Sequence, residues 1–203
     1  MSLSEPHAAA SVSYAHEAGH LKRVARAGWT LAGVRDGESV AEHSYRVGVL
    51  AYIIATHEGA NADRAAALGL FHDVPEARIG DVPSVGKAYV TTADANLVAA
   101  DQVAELDPVL AERIQALIAE HENAKSPDAT PEARCSRDAD KLECLLQARE
   151  YQAEGYQLLE HWVTSMIEAM ATDTGKQLAN AALEVSPGRW WDTYARNYSK
   201  RNA

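Results

Sequence analysis

The sequence lacks several features that would assign it to a class at once. No run of apolar residues approaches the roughly 20 that a membrane-spanning helix needs. The N-terminus has no basic segment followed by an apolar one, so no signal peptide is predicted. Only two cysteines are present, Cys135 and Cys144, and their spacing of nine residues within one predicted helix is too long for a disulfide. These absences predict reduced thiols in a cytoplasmic protein.

Positive charge is also scarce, with 19 Lys and Arg against 29 Asp and Glu and a net charge of −10. A protein that follows the phosphates of a nucleic-acid polymer carries a basic face, so this composition argues against that class. A small phosphorylated substrate is compatible with it, because a bound metal ion and one or two local cations override the global charge. We therefore expect a small-molecule substrate, with no nucleic-acid polymer and no membrane as partner.

Signals for β-strands are few as well, because alternating runs are scarce and no Asn-Gly or Asp-Gly turn joins two of them. Alanines and helix-capping residues are frequent instead, which favours an all-α fold in a single domain over residues 1–203. We expect helices over about residues 8–24, 39–57, 62–73, 92–106, 108–122 and 131–154, with two or three more in 156–203. The segment 74–90 contains two prolines and two glycines, which predicts a loop with one short turn.

The starts and stops of these helices have recognisable chemistry. Ser39 and Glu42 have the spacing of a capping box at the start of the second helix. Gly155 is expected to stop the long helix that follows Pro131. The other expected N-caps are Asn61, Thr92 and Thr130.

The third predicted helix contains an apolar run over 65–71 that ends in two polar residues, His72 and Asp73, at the close of the stretch LGLFHD. A buried carboxylate without a partner is costly, and the preceding residues, 65–71, offer it neither a cation nor a donor. Neighbouring residues on a helix point about 100° apart, so His72 and Asp73 are poorly placed to hydrogen-bond each other. A divalent metal ion at this end of the helix would satisfy both side chains.

Another histidine interrupts the apolar face of the second helix. His43 follows Val40 by three residues and precedes Val47 by four, so it points toward the core. Alone, such a residue is more often a hydrogen-bonded core histidine than a ligand. Together with the His72-Asp73 pair, it becomes a candidate third metal ligand.

The fourth ligand has two candidates, Asp138 and Asp140, which both precede an apolar helical segment. The spacing does not choose between them, and a solvated charged face is the simpler interpretation of Asp138 and Lys141. Two histidines and two carboxylates form a mixed nitrogen and oxygen set that suits a borderline divalent ion better than calcium. The candidate cations are Mn, Co, Fe, Zn and Mg.

The order His43, His72-Asp73 and Asp140 resembles the HD-domain superfamily of metal-dependent phosphohydrolases. The surrounding segments look like the 5′-deoxynucleotidase branch of that superfamily, and the resemblance spans about residues 20–152. The matching segments are LKRVARAGW (21–29), ESVAEHSYR (38–46), HDVPE (72–76), IGDVP (79–83), DKLE (140–143) and LQAREY (146–151). The resemblance implies an HD-domain helical bundle with a helical C-terminal extension over 156–203. It selects Asp140 over Asp138 as the fourth ligand.

The resemblance also implies a role for each matching position. The metal would be held by His43, His72, Asp73 and Asp140. Glu76 would orient or deprotonate the attacking water, and Asp81 would contact the nucleotide or support the reacting groups. This assignment makes Glu76 and Asp81 the candidate catalytic residues.

Substrate contacts are implied at a second group of positions. Arg26 and Trp29 would contact the phosphate and the sugar, with Trp29 helping to reject a ribose 2′-hydroxyl. Lys87 lies where the family can place a phosphate-facing lysine, and Arg46, three residues after His43 on a similar helix face, is a weaker candidate. Here Ala27-Gly28 separates the arginine from the tryptophan, whereas some members have the two side by side.

The remaining histidines have no partner at a useful spacing and are interpreted as structural. They are His7, His16, His20, His57, His121 and His161. The tryptophans of the tail are expected to seal the tail onto the core or to form a subunit contact. They are Trp162, Trp190 and Trp191.

The leading hypothesis is a metal-dependent 5′-deoxynucleotidase that releases phosphate from deoxyribonucleoside 5′-monophosphates, and the resemblance suggests a homodimer. One alternative is an HD-type phosphodiesterase or pyrophosphohydrolase acting on cyclic or signalling nucleotides, which the Arg26-to-Trp29 segment disfavours. The other is a non-catalytic helical protein with a structural metal. Glu76 and Asp81 beside four ligands argue against it.

Overall fold

The computed structural model describes residues 3–201 and consists of helices joined by short connections. Ten α-helices follow one another in this part of the chain: α1 (Glu5–Gly19), α2 (Val40–Glu58), α3 (Ala62–Phe71), α4 (Glu76–Ile79), α5 (Ala95–Gln102), α6 (Pro108–Glu122), α7 (Pro131–Ala153), α8 (Glu160–Glu168), α9 (Asp173–Glu184) and α10 (Arg189–Arg201). Three short 3₁₀ segments cover His20–Arg23, Ala27–Ala32 and Asn123–Lys125. Between residues 3 and 201 the only β pairing is an isolated bridge from Ala25 to Ser39, so the all-α prediction is confirmed.

The core lies between α2, α3 and α7, and α8 and α9 cover another side of α7. Its fully buried side chains include Val47 and Ile54 from α2, and Leu142 and Leu145 from α7. These residues recur at helical spacing, so each helix presents one apolar face to the others. No helix in the described residues is both long and apolar enough to span a membrane.

Most of the predicted helix boundaries follow from capping. Ser39 and Glu42 form both bonds of the capping box, and Asn61 accepts a hydrogen bond from the Arg64 N–H at the start of α3. Thr130 caps α7, and Gly155 follows its end with a positive φ of 105°, which glycine adopts without strain. Both cysteines are free, as expected.

Two helices are shorter than predicted. The helix expected over 92–106 covers only Ala95–Gln102, and Asp94 rather than Thr92 caps it by accepting from the Asn96 N–H. It ends early because Val103 and Leu106 pack into a small cluster with α6 instead of continuing the helix. The first helix ends at Gly19 and continues as a 3₁₀ turn.

The tail forms three helices, and its tryptophans differ in their environments. Trp162 packs against Trp29, with ring centroids 5.8 Å apart, so it seals α8 onto the core as expected. Trp190 and Trp191 are 77% and 54% exposed, so for these two residues the expected subunit contact stays a prediction.

Candidate active site

The four predicted metal ligands meet at one point. His43 comes from the first turn of α2, His72 and Asp73 follow the last residue of α3, and Asp140 lies in the middle of α7. The His43 Nε2 atom is 3.3 Å from Oδ1 of Asp140 and 3.7 Å from Oδ2 of Asp73. The His72 Nε2 atom is 3.0 Å from the same Asp73 oxygen. Two nitrogens and two carboxylates therefore face a common centre from three helices.

The donor atoms at this centre fit a divalent cation. Nε2 of His43, Nε2 of His72 and Oδ2 of Asp73 are buried and have no hydrogen-bond partner among the described residues. The His72 Nδ1–H donates to the Gly69 carbonyl at 2.7 Å, which leaves the Nε2 lone pair directed at the centre. Buried polar atoms without partners are costly, and a bound cation satisfies all three at once.

The carboxylates of this centre are held in their charged form. Burial alone would raise the pKa of Asp73, but His72 and the Arg26 guanidinium outweigh it and lower this pKa. Burial likewise opposes ionisation of Asp140, yet Lys141 and His43 bring its pKa well below the ordinary value. The Lys141 Nζ atom is 2.8 Å from Oδ2 of Asp140. Both carboxylates are therefore ionised at neutral pH and available to a cation.

The carboxylate of Glu143 orients His43 by contacting the ring nitrogen that faces away from the ligand centre. Oε2 of Glu143 lies 2.5 Å from Nδ1 of His43, and both side chains are fully buried. Arg46 holds Glu143 through Nε at 2.9 Å and also binds Glu150 and Gln147. The Arg46 guanidinium is thus fully engaged between α2 and α7, and the structure does not bring it to the cavity beside the ligands.

A cavity of about 220 Å³ opens next to the ligand centre. Its walls include Asp73 and Asp140, together with Arg26, Glu76 and Lys87. With Trp29 and Asp81, which also line it, seven predicted site residues share one cavity, and Lys87 is an exposed residue at its edge. The arrangement places cations, a carboxylate and the ligand centre within reach of one small molecule.

Arg26 and Asp81 form a connected pair on the cavity wall. The Arg26 Nη1 atom is 3.6 Å from Oδ2 of Asp73 and 3.8 Å from Oδ1 of Asp81, and its Nη2–H donates to the Cys144 sulfur. The other oxygen of Asp81 accepts a 2.8 Å hydrogen bond from the Ala27 N–H. Asp81 therefore fixes the backbone that follows Arg26 as well as facing its guanidinium.

Glu76 is the first residue of α4 and lines the cavity near the ligands. Its Oε2 atom is buried without a hydrogen-bond partner. Burial and the neighbouring charges of Asp73 and Asp81 raise the pKa of Glu76 to about 9. A carboxyl group of high proton affinity beside a metal centre has the properties of a general base once a cation is bound nearby.

Trp29 is more enclosed than a substrate contact requires. It is 2% exposed, its Nε1–H donates to Oε1 of Glu38 at 2.9 Å, and its ring meets Tyr151 edge-on at 5.3 Å. The residue touches the cavity wall, but its polar atom faces the protein interior. Trp29 therefore packs within the protein interior at this position.

His121 lies beside the predicted ligand centre, with its Nδ1 atom 2.8 Å from the Ser136 hydroxyl oxygen. Its ring centroid is 4.7 Å from that of His72, and ligand atoms of His72, His121 and Asp140 lie within 4.8 Å of one another. The expectation that it has no partner at a useful spacing is wrong, because that partner comes from another helix. A signal was present in the sequence, since His121 follows Ile118 by three residues on the buried face of α6.

Asp138 lies on the opposite side of α7 from the site. Its carboxylate is fully buried and accepts hydrogen bonds from the Ala171 and Thr172 N–H groups and the Thr172 hydroxyl. The interpretation of Asp138 as a solvated residue is therefore wrong. Two positions along a helix rotate a side chain by about 200°, which separates Asp138 from Asp140.

Comparisons with known proteins agree with this architecture. A model of the HD domain matches residues 18–182. The 5′-deoxynucleotidase HDDC2 of Bos taurus is 32% identical over 134 residues, which cover 66% of this chain and 64% of that protein. The 5′-deoxynucleotidase hdd1 of Schizosaccharomyces pombe is 32% identical over 138 residues, with 65% and 67% of the two chains covered. The chain thus spans about two thirds of the length of these curated relatives.

A solved structure gives the same comparison in three dimensions. The crystal structure of a predicted metal-dependent phosphohydrolase from Magnetospirillum magnetotacticum superposes with a TM-score of 0.64. The two sequences are 26% identical, and the superposition covers 89% of this chain and 92% of the other. The similarity therefore extends beyond the ligand centre to most of the helical framework.

Proposed function

The chain belongs to the HD-domain family, and from this we propose that it is a metal-dependent 5′-deoxynucleotidase releasing phosphate from deoxyribonucleoside 5′-monophosphates. One observation carries the proposal. Atoms of His43, His72 and Asp73 that have no hydrogen-bond partner meet at Asp73, which lines the cavity together with Arg26 and Glu76. A phosphomonoesterase needs these elements together: a metal centre, a phosphate-binding cation and a base for water.

We assign the metal to His43, His72, Asp73 and Asp140, with His121 beside them. When bound, a divalent cation supplies Lewis-acid polarisation of the phosphoryl group. The imidazole ligands favour Mn, Co, Fe or Zn over Mg, because Mg prefers oxygen ligands and retains water.

The protein residues supply the other steps of hydrolysis. Glu76 takes a proton from the attacking water, and Arg26 binds the phosphate oxygens with its planar guanidinium. Asp81 holds Arg26 and the Ala27 backbone in place, which makes it a positioning residue. Lys87 at the cavity edge attracts the phosphate dianion, and Trp29 supports the wall behind Arg26.

A phosphate-release assay tests this assignment. Protein from which a chelator has removed the metal is supplied with Mn, Co, Fe, Zn or Mg. It is then assayed with AMP, dAMP and the other ribo- and deoxyribonucleoside 5′-monophosphates. The proposal expects release from the deoxy substrates with at least one metal. Equal hydrolysis of AMP and dAMP would overturn the deoxy selectivity. Release only from a cyclic nucleotide or a diester would instead establish the phosphodiesterase alternative, and no hydrolysis of any substrate would favour a structural metal.

We also propose that residues 1–203 act as one domain, with an HD core over about 20–152 and a helical extension over 156–203. A homodimer is proposed through the face shared by α2 and α3, where apolar side chains are exposed. They are Tyr45, Val49, Tyr52, Ile53 and Leu70. An apolar group of this kind is typical of subunit contacts. The free thiols of Cys135 and Cys144 support a cytoplasmic location.

A further inference from the structure

We propose that Trp162, on helix α8 of the C-terminal extension, contacts the nucleoside part of the substrate. This inference rests on the proposed 5′-deoxynucleotidase function and names a residue outside the motif segments of residues 20–152. Trp162 would hold the sugar and base with its ring, while its indole N–H would donate to an acceptor on the nucleoside. Its role is therefore in substrate binding and selectivity.

Two neighbouring tryptophans, Trp29 and Trp162, differ in the surface that they offer to a ligand. Trp29 has its N–H occupied by Glu38 and is 2% exposed, so it has little surface to offer a ligand. Trp162 lies 5.8 Å from it, with the rings inclined by 31°, and remains partly exposed on the cavity wall. Of the two tryptophans, Trp162 is therefore the one whose ring has surface available to a ligand in the cavity.

The indole N–H of Trp162 is available to a ligand. This donor has no hydrogen-bond partner in residues 3–201. A Cβ atom placed on Gly28 would lie 3.9 Å from Nε1 of Trp162, so the indole nitrogen sits directly beside the segment that follows Arg26. A free donor next to the phosphate-binding arginine is placed to reach the part of a nucleotide that adjoins the phosphate.

The cavity wall around Trp162 is apolar. Met166 lies one turn after Trp162 on α8 and lines the same cavity, as does Leu31, which is 50% exposed. The cavity therefore combines charged groups around Arg26 and Asp140 with an apolar group from Leu31, Trp162 and Met166. A deoxynucleoside monophosphate has the same division between a charged phosphate and an apolar base.

The cavity is too small to enclose a whole nucleotide, so the apolar group of Leu31, Trp162 and Met166 is expected to contact the part that extends beyond it. Its volume of about 220 Å³ is below the roughly 300 Å³ at which pockets for drug-sized ligands begin. A nucleotide with its phosphate at the ligand centre would extend past the enclosed space onto the partly exposed wall. Stacking against an aromatic ring tolerates different bases, because every base has a π-face. The geometry therefore predicts weak base preference together with strong dependence on Trp162.

Steady-state kinetics on the metal-loaded protein test the proposal. Trp162→Ala should raise KM for dAMP and dTMP roughly 10-fold or more, with little change in kcat. Hydrolysis of methyl phosphate, which carries neither a sugar nor an aromatic ring, should change much less. Trp162→Phe keeps a ring and removes the donor, so its KM should lie between those of the wild type and Trp162→Ala. Trp190→Ala removes an exposed tryptophan outside the cavity and should leave KM unchanged.

A binding measurement separates this inference from the proposed function. Deoxyadenosine should quench the tryptophan fluorescence of the wild type and of Trp190→Phe, and the quenching should be lost in Trp162→Phe. Unchanged KM and retained quenching in a folded Trp162→Phe protein would overturn the role of Trp162. If Trp162→Ala does not fold, Trp162→Phe and Met166→Ala still decide the question. Absence of phosphate release by the wild type would overturn the proposed function alone, because the quenching experiment does not depend on turnover.

Discussion

Oε2 of Glu143 lies 2.5 Å from Nδ1 of His43, at a point where both side chains are completely buried. Arg46 holds the other oxygen of the same carboxylate at 2.7 Å. The contact fixes the ring of His43 so that Nε2 points at Asp140 and Asp73. A ligand histidine that is oriented in this way loses less freedom when it binds a metal ion.

Replacing Glu143 by glutamine should therefore weaken the metal site without removing a ligand. The amide cannot stabilise a proton on Nδ1 as a carboxylate does, so we expect metal affinity to fall roughly 10- to 100-fold. Titration against a chromophoric chelator measures it directly. Glu150→Gln is the matched control, because Glu150 binds Arg46 at 2.7 Å but does not contact His43. Equal affinity in wild type and Glu143→Gln would contradict this role.

Glu76→Gln should separate catalysis from metal binding. The glutamine side chain has nearly the same shape but cannot accept a proton, so turnover should fall roughly 10²-fold or more. Metal content measured by atomic emission should stay at the wild-type level. Glu112, an exposed residue of α6, provides a control substitution of the same type. Loss of metal in Glu76→Gln would make Glu76 a ligand instead of the base.

The raised pKa of Glu76 predicts a pH-dependent stability in the chelated protein. Its pKa is about 9 in the fold against an ordinary value of 4.5, so the folded chain keeps a proton that the unfolded chain has released. The stability contributed by the protonated form is complete below about 4.5 and is lost as the pH rises through about 9. Glutamine mimics the protonated form at every pH.

Urea denaturation in the presence of EDTA checks this linkage. The free energy of unfolding of Glu76→Gln, relative to that of the wild type, should increase between about pH 5 and about pH 8. Both values lie between the ordinary pKa of Glu76 and its pKa in the fold. Added divalent metal should reduce the difference, because a nearby cation favours the charged carboxylate. A difference that stays constant with pH would show that Glu76 is not protonated in the fold.

Local chemistry explains why much of the framework follows from the sequence. Ser39, Asn61 and Thr130 cap helices as predicted, and α6 has the predicted bounds of Pro108–Glu122. Each of these features depends on residues within one turn of a helix. An apolar run that ends in His72-Asp73 also indicates that both side chains need partners, and the structure brings His43 and Asp140 close to them.

Features that depend on distant parts of the chain were not predictable in this way. His121 lies beside His72 because α6 packs against α3, and Trp162 reaches the cavity because α8 folds over α7. The sequence does not encode these distances in any spacing. Arg46 shows the converse case, because its position on α2 suggested a substrate contact while α7 supplies carboxylates that engage it completely.

Asp138 and Asp140 lie two residues apart on α7 but have different environments, which gives a further prediction. The carboxylate of Asp138 binds the backbone that leads into α9, so removing it leaves buried N–H groups without partners. We expect Asp138→Ala to lower the free energy of unfolding by about 3 kcal/mol, and Tm by roughly 6–12 °C. Metal affinity should be little changed. Asp140→Ala should do the reverse, with metal binding lost and the stability of the chelated protein less affected.

Thermal denaturation with EDTA, together with chelator titration, distinguishes the two aspartates. Asp173→Ala is the control for a carboxylate near the start of α9, since the Asp173 side chain is 90% exposed. Its Tm should stay close to that of the wild type. Loss of metal binding in a folded Asp138→Ala protein would contradict the separation of the two positions. A rotation of about 200° along α7 separates the two carboxylates. Asp138 should therefore be unable to replace Asp140 as a ligand, and Asp140→Ala should stay inactive.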